Sequence, residues 1–153
     1  LASKIEDMIN TVIRQISFFE FEKLVHTERK NGELSSDQIC EFWMKTQSES
    51  LGPHIELTEG YKYFWTYIPH FIHTPFYVYA YAFGDCLVNV LIQLYDEGLP
   101  DFKNNYIELL KSGGSKHYSE VLKPFNVDLK NKDSWQKGLS MISGLIDEFE
   151  KTI

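Results

Sequence analysis

The sequence contains few cysteines, no long apolar run and no excess of positive charge, and each of these absences excludes a class of protein. A disulfide between the two cysteines would need an oxidising compartment, and nothing in the sequence signals export. Charge or glycine interrupts every apolar run before the roughly 18 residues that a membrane-spanning helix needs. The formal net charge of −7 argues against nucleic acid, because phosphate binding depends on clustered Lys and Arg. We therefore expect neither a membrane nor a nucleic-acid partner.

The two cysteines, Cys40 and Cys86, lie far apart, and each sits in an apolar stretch. No signal peptide is visible, so we expect a cytoplasmic protein in which both are buried free thiols. No recognisable His–Asp signature accompanies either cysteine, so neither is predicted to be a nucleophile. The pair Gly113-Gly114 follows a helical pattern rather than preceding one, which is typical of a helix cap and not of a phosphate-binding loop.

Apolar residues recur at helical spacing along the chain and no strand pattern is present, so the fold class is predicted to be all-α. The length and an apolar fraction of 43% are ordinary for one folded domain, which we predict over residues 1–153. The first helix is predicted to run from the start of the chain to about Lys30 and to end at Gly32 as a left-handed cap. Its predicted core face comprises Ile5, Met8, Ile9, Val12, Ile16 and Phe19.

Local signals bound the second helix. Ser35 and Gln38 have the spacing of a capping box at its start, and Gly52-Pro53 ends it. A third helical stretch is predicted over residues 58–67. The predicted core face of the second helix comprises Ile39, Phe42, Trp43 and Leu51.

Two prolines govern the middle of the chain. Pro69 and Pro75 exclude regular helix over residues 68–74. Pro75 suits the first turn of a new helix with Thr74 as its N-cap, which we predict to end at Gly98. The predicted core stripe of that helix comprises Phe76, Ala80, Phe83, Leu87, Val90 and Leu94.

The last third of the chain contains two predicted helices and a short turn. Pro100 opens the first of them, which ends at Gly113, and the turn covers about residues 118–123. Asn131 or Asp133 caps the final helix. Its predicted core stripe comprises Trp135, Leu139, Ile142, Leu145 and Phe149.

Aromatic residues are concentrated in one segment, with eleven between Tyr61 and Phe83, where two prolines and the histidines His70 and His73 interrupt them. A core needs apolar bulk but not hydroxyls and imidazoles at this density. Each buried Tyr or His without a hydrogen-bond partner costs roughly 1–3 kcal/mol. The segment therefore predicts a wall that meets a polar ligand.

Three tyrosines alternate in this segment. In a helix that starts at Pro75, Tyr77 and Tyr81 lie about 40° apart and share a face, whereas Tyr79 lies on another side. Tyr77 and Tyr81 are therefore the better candidates to line a cleft, and a phenol there could donate to a tetrahedral oxyanion. Aromatic packing within a larger core remains the alternative for each.

Two residue pairs have spacings that a metal site could use. His70 and His73 are three apart with no carboxylate between them, and a zinc site usually takes three or four protein ligands. A loop histidine that donates to a ligand or a backbone carbonyl is favoured over a metal pair. Glu22 and His26 are four apart on the first helix, a spacing that solvated helix faces often produce, so an ordinary exposed face is favoured there.

Six stretches, in order along essentially the whole chain, match the pattern of one enzyme family. They are Arg14-Gln-Ile-Ser-Phe-Phe-Glu-Phe-Glu22 with His26, Gly32-Glu-Leu34, Ile68-Pro-His-Phe71, Pro75-Phe-Tyr-Val-Tyr-Ala-Tyr-Ala-Phe-Gly84, Leu109-Leu-Lys-Ser-Gly-Gly-Ser-Lys116 and Trp135-Gln-Lys-Gly138. The chain resembles the C-terminal part of oligoendopeptidase F, a bacterial zinc metallopeptidase related to thimet oligopeptidase. The tyrosine segment is the most specific part of the likeness.

The resemblance implies a helical portion of a catalytic domain that hydrolyses oligopeptides in a deep channel. In this family two His of an H-E-x-x-H motif and a downstream Glu hold Zn²⁺, and the Glu of the motif activates water. No His of this chain is followed by Glu, and helical periodicity is already running when the chain opens at Leu1. We therefore expect a C-terminal fragment that binds no zinc and is inactive alone, with zinc held by the missing N-terminal part of the same protein.

The resemblance also implies site residues. By position, substrate contact and oxyanion stabilisation fall to His70 and to one or two of Tyr77, Tyr79 and Tyr81, with His73 a weaker candidate. The expected partners are an oligopeptide substrate and the missing part of the protein. A fragment should also expose apolar surface and self-associate.

Two other hypotheses stay open at this point. The chain could be a free-standing helical module whose aromatic groove binds a peptide or an acyl ligand without catalysis, or it could be the remnant of a degenerate gene. An upstream H-E-x-x-H in the same reading frame would favour the peptidase, and a start codon beside Leu1 would favour the module.

Overall fold

The computed structural model describes residues 1–152, and helices with their connecting turns account for this part of the chain without any strand. The all-α prediction is confirmed. None of the described helices combines the length and the apolar character that crossing a bilayer requires. The α-helices are α1 (Ala2–Ile9), α2 (Gln15–Glu28), α3 (Ser36–Leu51), α4 (His70–His73), α5 (Tyr79–Asp96), α6 (Phe102–Ser112), α7 (Tyr118–Val121) and α8 (Lys132–Glu150). A π-helical turn lies at Asn10–Arg14, and 3-10 helices lie at Arg29–Asn31, Glu59–Tyr67 and Lys123–Phe125.

The chain divides into two compact units. One unit is Glu6–Phe83, and the other combines Leu1–Ile5 with Gly84–Ile153, so the boundary falls within α5. A single domain over the whole chain remains a prediction.

The first helical stretch runs from Ala2 to Asn31, as the sequence predicts, but a π-helical turn interrupts it. A π turn accommodates more residues than an α turn, so the buried face after it is displaced along the sequence. Ile16, predicted in the core, lies beyond the π turn and is 48% exposed. Ile9, also predicted in the core, lies before the turn and is 37% exposed. Beyond the π turn the buried residues are Ser17, Phe18, Phe21 and Glu22.

The end of this stretch differs from the predicted left-handed cap. Gly32 has φ +149° and ψ −173°, an extended conformation at positive φ that is open mainly to glycine. The chain therefore leaves the helix at the predicted residue by a different turn.

The capping box that starts α3 is confirmed. Ser35 Oγ accepts the Gln38 N–H at 3.3 Å, and Gln38 Oε1 accepts the Ser35 N–H at 2.9 Å. The helix ends at Gly52 with φ +74°. Leu51, predicted in its core face, is exposed because it lies in the last turn, where α3 leaves the packed region.

Aromatic rings form the core of the unit Glu6–Phe83. Trp43 from α3 is fully buried, and its ring packs against Phe18 and Phe21 of α2 with centroids 5.3 and 5.2 Å away. The Trp43 Nε1–H donates to the carbonyl oxygen of Tyr61 at 3.0 Å, which satisfies its polar atom in the core. Ile68 and Val78 complete this cluster.

The segment around the two prolines differs from the prediction in two ways. Residues 70–73 form one α-helical turn, because Pro69 has φ −66° and lies at the N-cap, where a missing N–H costs nothing. No helix starts at Pro75, because Phe76 has φ +59° and leaves the right-handed region. Phe76, predicted in the core stripe of this helix, therefore lies before α5 and is exposed, whereas Ala82 of α5 is buried.

The second unit has its own core, built from Val90, Leu91 and Leu94 of α5 with Leu122 and Phe125.

Both cysteines are buried and free, as predicted. Burial, aided by the charge of Asp85, raises the pKa of the Cys86 thiol.

The caps of α6 and α8 follow local signals. Gly113 ends α6 with φ +49°, but the helix begins at Phe102, two residues beyond Pro100. Asn131 is the N-cap of α8, and its Oδ1 accepts the Asp133 N–H at 3.0 Å. Asn131, and not Asp133, is therefore the capping residue.

We predict that Gly138→Ala destabilises the protein by about 1–3 kcal/mol, because overpacking forces the backbone apart. A Cβ on Gly138 would lie 2.6 Å from the carbonyl oxygen of Cys86, and a backbone atom cannot rotate away. The measurement is the free energy of unfolding from urea titration.

Gly144→Ala on the same helix is the matched control. A Cβ on Gly144 would meet no described residue of another element within 4 Å, so alanine should stabilise the helix by about 0.5–1 kcal/mol. Equal stability changes for the two variants would contradict a close approach of α8 to α5 at Gly138.

Candidate functional site

His70, Tyr77 and Tyr81 come together in the unit Glu6–Phe83, and we call them the His–Tyr cluster. His70 is the first residue of α4, where Pro69 fixes the start of the turn. Tyr77 lies in the segment between α4 and α5, and Tyr81 lies in the first turn of α5. The four-residue helix α4, the turn that follows it and the start of the 18-residue helix α5 thus bring all three side chains together.

The geometry of the cluster is that of three rings in mutual contact. His70 Nε2 and Tyr81 Oη are 3.1 Å apart, within hydrogen-bond distance. The His70 and Tyr77 rings are parallel, with centroids 6.1 Å apart. Tyr81 stands perpendicular to both rings, at 5.8 Å from His70 and 5.6 Å from Tyr77.

The phenols of the cluster are open to solvent. Tyr77 is 48% exposed and Tyr81 is 41% exposed, and His70 is half-buried. These tyrosines therefore do not serve as the interior of the aromatic core, which lies around Trp43. Exposed phenols beside a half-buried imidazole can donate to, or accept from, a polar ligand that binds over them.

Tyr79 lies apart from the other two tyrosines. Its ring packs edge-on against Phe19 of α2, with centroids 5.8 Å apart. Tyr77 and Tyr81 are grouped as the sequence predicts, but for another reason. No regular helix starts at Pro75, and Tyr77 lies near Tyr81 because its carbonyl oxygen accepts the Ala80 N–H at 2.9 Å in the turn that leads into α5.

The metal-ligand candidates do not gather into a site within the part of the chain that the structure describes. No three His, Cys, Asp or Glu side chains among residues 1–152 lie close enough to hold a metal ion. His73 is exposed on the same turn as His70, and His26 is exposed on α2, with its ring 4.8 Å from that of Phe76.

For Glu22 the expectation from the sequence was wrong. It was expected on a solvated face of the first helix, but it is only 2% exposed. Its Oε1 accepts the N–H of Phe76 at 2.9 Å, one residue before Tyr77. Its Oε2 is buried and has no hydrogen-bond partner among the described residues.

A signal for this burial is present in the sequence. Phe18, Phe21, Glu22 and Val25 have the spacing of one helical face, and the two phenylalanines are buried in the core. Glu22 therefore belongs to an apolar face. A regular helix counted from Ile5 predicts a different buried face here, because the π turn shifts the helical phase of the residues that follow it.

Burial raises the pKa of Glu22, while the Phe76 N–H and the charges of His26 and His70 act in the opposite direction. A raised pKa means that the folded state binds the proton more tightly than the unfolded state. The free energy of unfolding should therefore fall as the pH rises from the ordinary carboxyl value through the raised one. Below that window both states are protonated and the contribution of Glu22 is constant.

We predict that Glu22→Gln removes this fall in stability. The variant should be more stable than the wild type above the raised pKa, because it buries no charge, and the difference should shrink toward acid pH. The measurement is urea unfolding of both proteins across a series of pH values. Their difference isolates Glu22 from the other titrating groups that the two proteins share.

Glu20→Gln is the control, because Glu20 is exposed on the same helix and forms an exposed ion pair with Lys23 at 3.2 Å. It should retain the pH dependence of the wild type. A stability difference between Glu22→Gln and the wild type that stays constant with pH would show that the Glu22 carboxyl is not perturbed.

Comparison with known proteins gives one consistent family. The sequence profile of peptidase family M3 matches residues 1–141. An oligoendopeptidase F homolog from Borreliella burgdorferi is 32% identical over 97% of the chain, and oligopeptidase PepF from Bacillus subtilis is 31% identical over 97%. The chain covers only 25% and 22% of these two relatives, respectively.

Structural comparison agrees with the sequence comparison. The crystal structure of oligoendopeptidase-F from Enterococcus faecium superposes with a TM-score of 0.89 at 29% identity, over 98% of this chain and 29% of that one. The chain thus spans about a quarter of the length of the proteins it matches, and the family resemblance read from the six sequence stretches is confirmed. The chain belongs to peptidase family M3.

Proposed function

We propose that this chain is the C-terminal part of a zinc-dependent oligoendopeptidase that hydrolyses short peptides, and that its His–Tyr cluster contacts the substrate. The observation that carries the proposal is a half-buried imidazole beside an exposed phenol, His70 with Tyr81 at 3.1 Å, in a chain of peptidase family M3. Relatives named as oligoendopeptidases support peptides as the substrate class.

The proposed chemistry follows from what phenols and imidazoles can donate. Attack on a peptide carbonyl creates a tetrahedral oxyanion, and a fixed donor aimed at that oxygen lowers the barrier. The contact with His70 Nε2 restricts the rotation of the Tyr81 hydroxyl, and the parallel His70 ring restricts Tyr77. The cluster would therefore be partly organised before substrate arrives.

The structure favours two of the three candidate tyrosines. Tyr77 and Tyr81 contact His70, whereas the Tyr79 ring packs on Phe19. We assign the oxyanion donor to Tyr77 or Tyr81, with His70 as a substrate contact, and we assign no role in catalysis to Tyr79.

The described residues do not fit a zinc site, because no three suitable ligands converge. We propose that the zinc ligands belong to segments outside this chain. A cytoplasmic location and self-association of the fragment remain predictions.

We predict that the isolated chain does not hydrolyse peptides. Supplied with zinc and an internally quenched oligopeptide, it should give the background rate, because the site it carries lacks an activated nucleophile. Fluorescence release over hours measures this. Turnover that persists in both His70→Ala and Tyr77→Phe would contradict the assigned roles and the fragment proposal together.

The catalytic roles can be tested in a fusion in which this chain replaces the aligned segment of the Borreliella burgdorferi relative. We predict that the fusion hydrolyses the quenched peptide. Loss of the oxyanion donor by Tyr77→Phe or Tyr81→Phe should lower kcat by about 10²–10³-fold. Tyr79→Phe should leave kcat close to that of the parent fusion.

Tyr79→Phe is a matched control because all three substitutions remove one hydroxyl and keep the ring. Circular dichroism and melting temperature should show that the variants fold alike. An active fusion whose kcat is unaffected by Tyr77→Phe, by Tyr81→Phe and by His70→Ala would overturn the proposed role of the cluster.

A further inference from the structure

Phe76 has a backbone conformation that needs support from its surroundings. Its φ of +59° is in the left-handed region, which is unfavourable for a residue with a side chain. Such conformations persist where neighbouring contacts over-determine them. Phe76 is 38% exposed, so burial of its ring alone does not hold it.

Contacts with α2 supply the support. Glu22 Oε1 accepts the Phe76 N–H at 2.9 Å. The Phe76 ring lies against His26, at 4.8 Å between centroids, and against Phe19, at 6.3 Å. Among these partners Glu22 alone bonds the backbone, and it is also the most buried of them, so its position is the best defined.

The supported residue sits at the turn that directs the His–Tyr cluster. Phe76 immediately precedes Tyr77, so its φ and ψ set where the Tyr77 backbone leaves the turn. Val78, two residues on, is fully buried and anchors the far side. A change at Phe76 would therefore be absorbed mainly by Tyr77, between two fixed points.

We propose that Glu22 is a positioning residue for the His–Tyr cluster, holding Phe76 left-handed through its N–H and thereby keeping Tyr77 against His70. The significance of this contact for catalysis rests on the proposed function, whereas the structural contact itself does not. Glu22 touches neither His70 nor the tyrosines through a hydrogen bond, so it acts through Phe76.

The contact can be tested in the chain itself by NMR with selective labelling of Phe and His. In the wild type the Phe76 amide should exchange slowly with solvent, and the His70 ring protons should carry ring-current shifts from Tyr77. Glu22→Ala should raise the Phe76 exchange rate at least about tenfold and move the His70 shifts. Glu22→Gln keeps an acceptor oxygen and should restore both.

Glu20→Ala is the matched control on the exposed side of α2 and should leave both signals unchanged. The remaining amide resonances show whether Glu22→Ala stays folded. If Glu22→Ala unfolds, Glu22→Gln, which keeps an acceptor oxygen, is compared at low temperature with Glu22→Leu, which has none. Unchanged Phe76 exchange and His70 shifts without an acceptor at position 22 would overturn the proposal.

The catalytic consequence can be tested by a double-mutant cycle in the fusion enzyme. Glu22→Ala should lower kcat by about 10- to 100-fold through misplacement of Tyr77, and Glu22→Gln should recover most of the loss. In a Tyr77→Phe background the same substitution should cost less than about threefold, because the group it positions has lost its hydroxyl.

The outcomes separate the two proposals. If Glu22→Ala lowers kcat equally in the parent fusion and in the Tyr77→Phe background, the loss reflects general destabilisation and overturns the positioning role. The proposed function still holds in that case if Tyr81→Phe and His70→Ala lower kcat. If none of the cluster variants changes kcat, the proposed function fails and the NMR result alone decides whether Glu22 holds the turn.

Discussion

The hydrogen bond from the Phe76 N–H to the Glu22 carboxylate is the contact on which the site geometry depends. It joins α2 to the segment between α4 and α5 across 54 positions of sequence. Removing a carboxylate from water opposes folding unless hydrogen bonds offset the lost hydration. The packing of Phe21 against Trp43 encloses the neighbouring core, and in such low-dielectric surroundings each remaining hydrogen bond is stronger.

Features of the fold that depend on a few neighbouring residues could be predicted from the sequence. The Ser35 capping box and the caps at Asn131 and Gly113 are all local, and their chemistry is independent of the rest of the chain. The prediction was wrong where distant contacts decide the backbone. Pro75 is compatible with the first turn of a helix, but Phe76 is bonded to Glu22 instead, and the helix begins only at Tyr79.

Residue types indicate the chemistry of a candidate site more directly than they indicate the positions of its side chains. The density of imidazole and phenol indicated the segment Tyr61–Phe83, helical geometry paired Tyr77 with Tyr81, and the family resemblance added His70. Helical geometry also placed Tyr79 on another side, but the packing of its ring on Phe19 of α2 and the contact of His70 with Tyr81 depend on the tertiary fold, which periodicity does not give. The burial of Glu22 was not predicted, because the π turn shifts the helical phase of the first helix. Glu22 was therefore expected on the solvated face although it lies on the buried one.

The two departures from local preference in this unit explain each other. A left-handed Phe76 and a buried Glu22 are each unfavourable alone, but the N–H of Phe76 donates to one oxygen, Oε1, of the Glu22 carboxylate. Removing the Phe76 N–H would leave the Glu22 carboxylate, which is only 2% exposed, without this bond, which is costly for a buried polar group. Departures of this kind concentrate where geometry serves function. Here they adjoin the exposed phenols of Tyr77 and Tyr81 rather than the sealed core around Trp43, which is why we assign the pair to the site and not to stability alone.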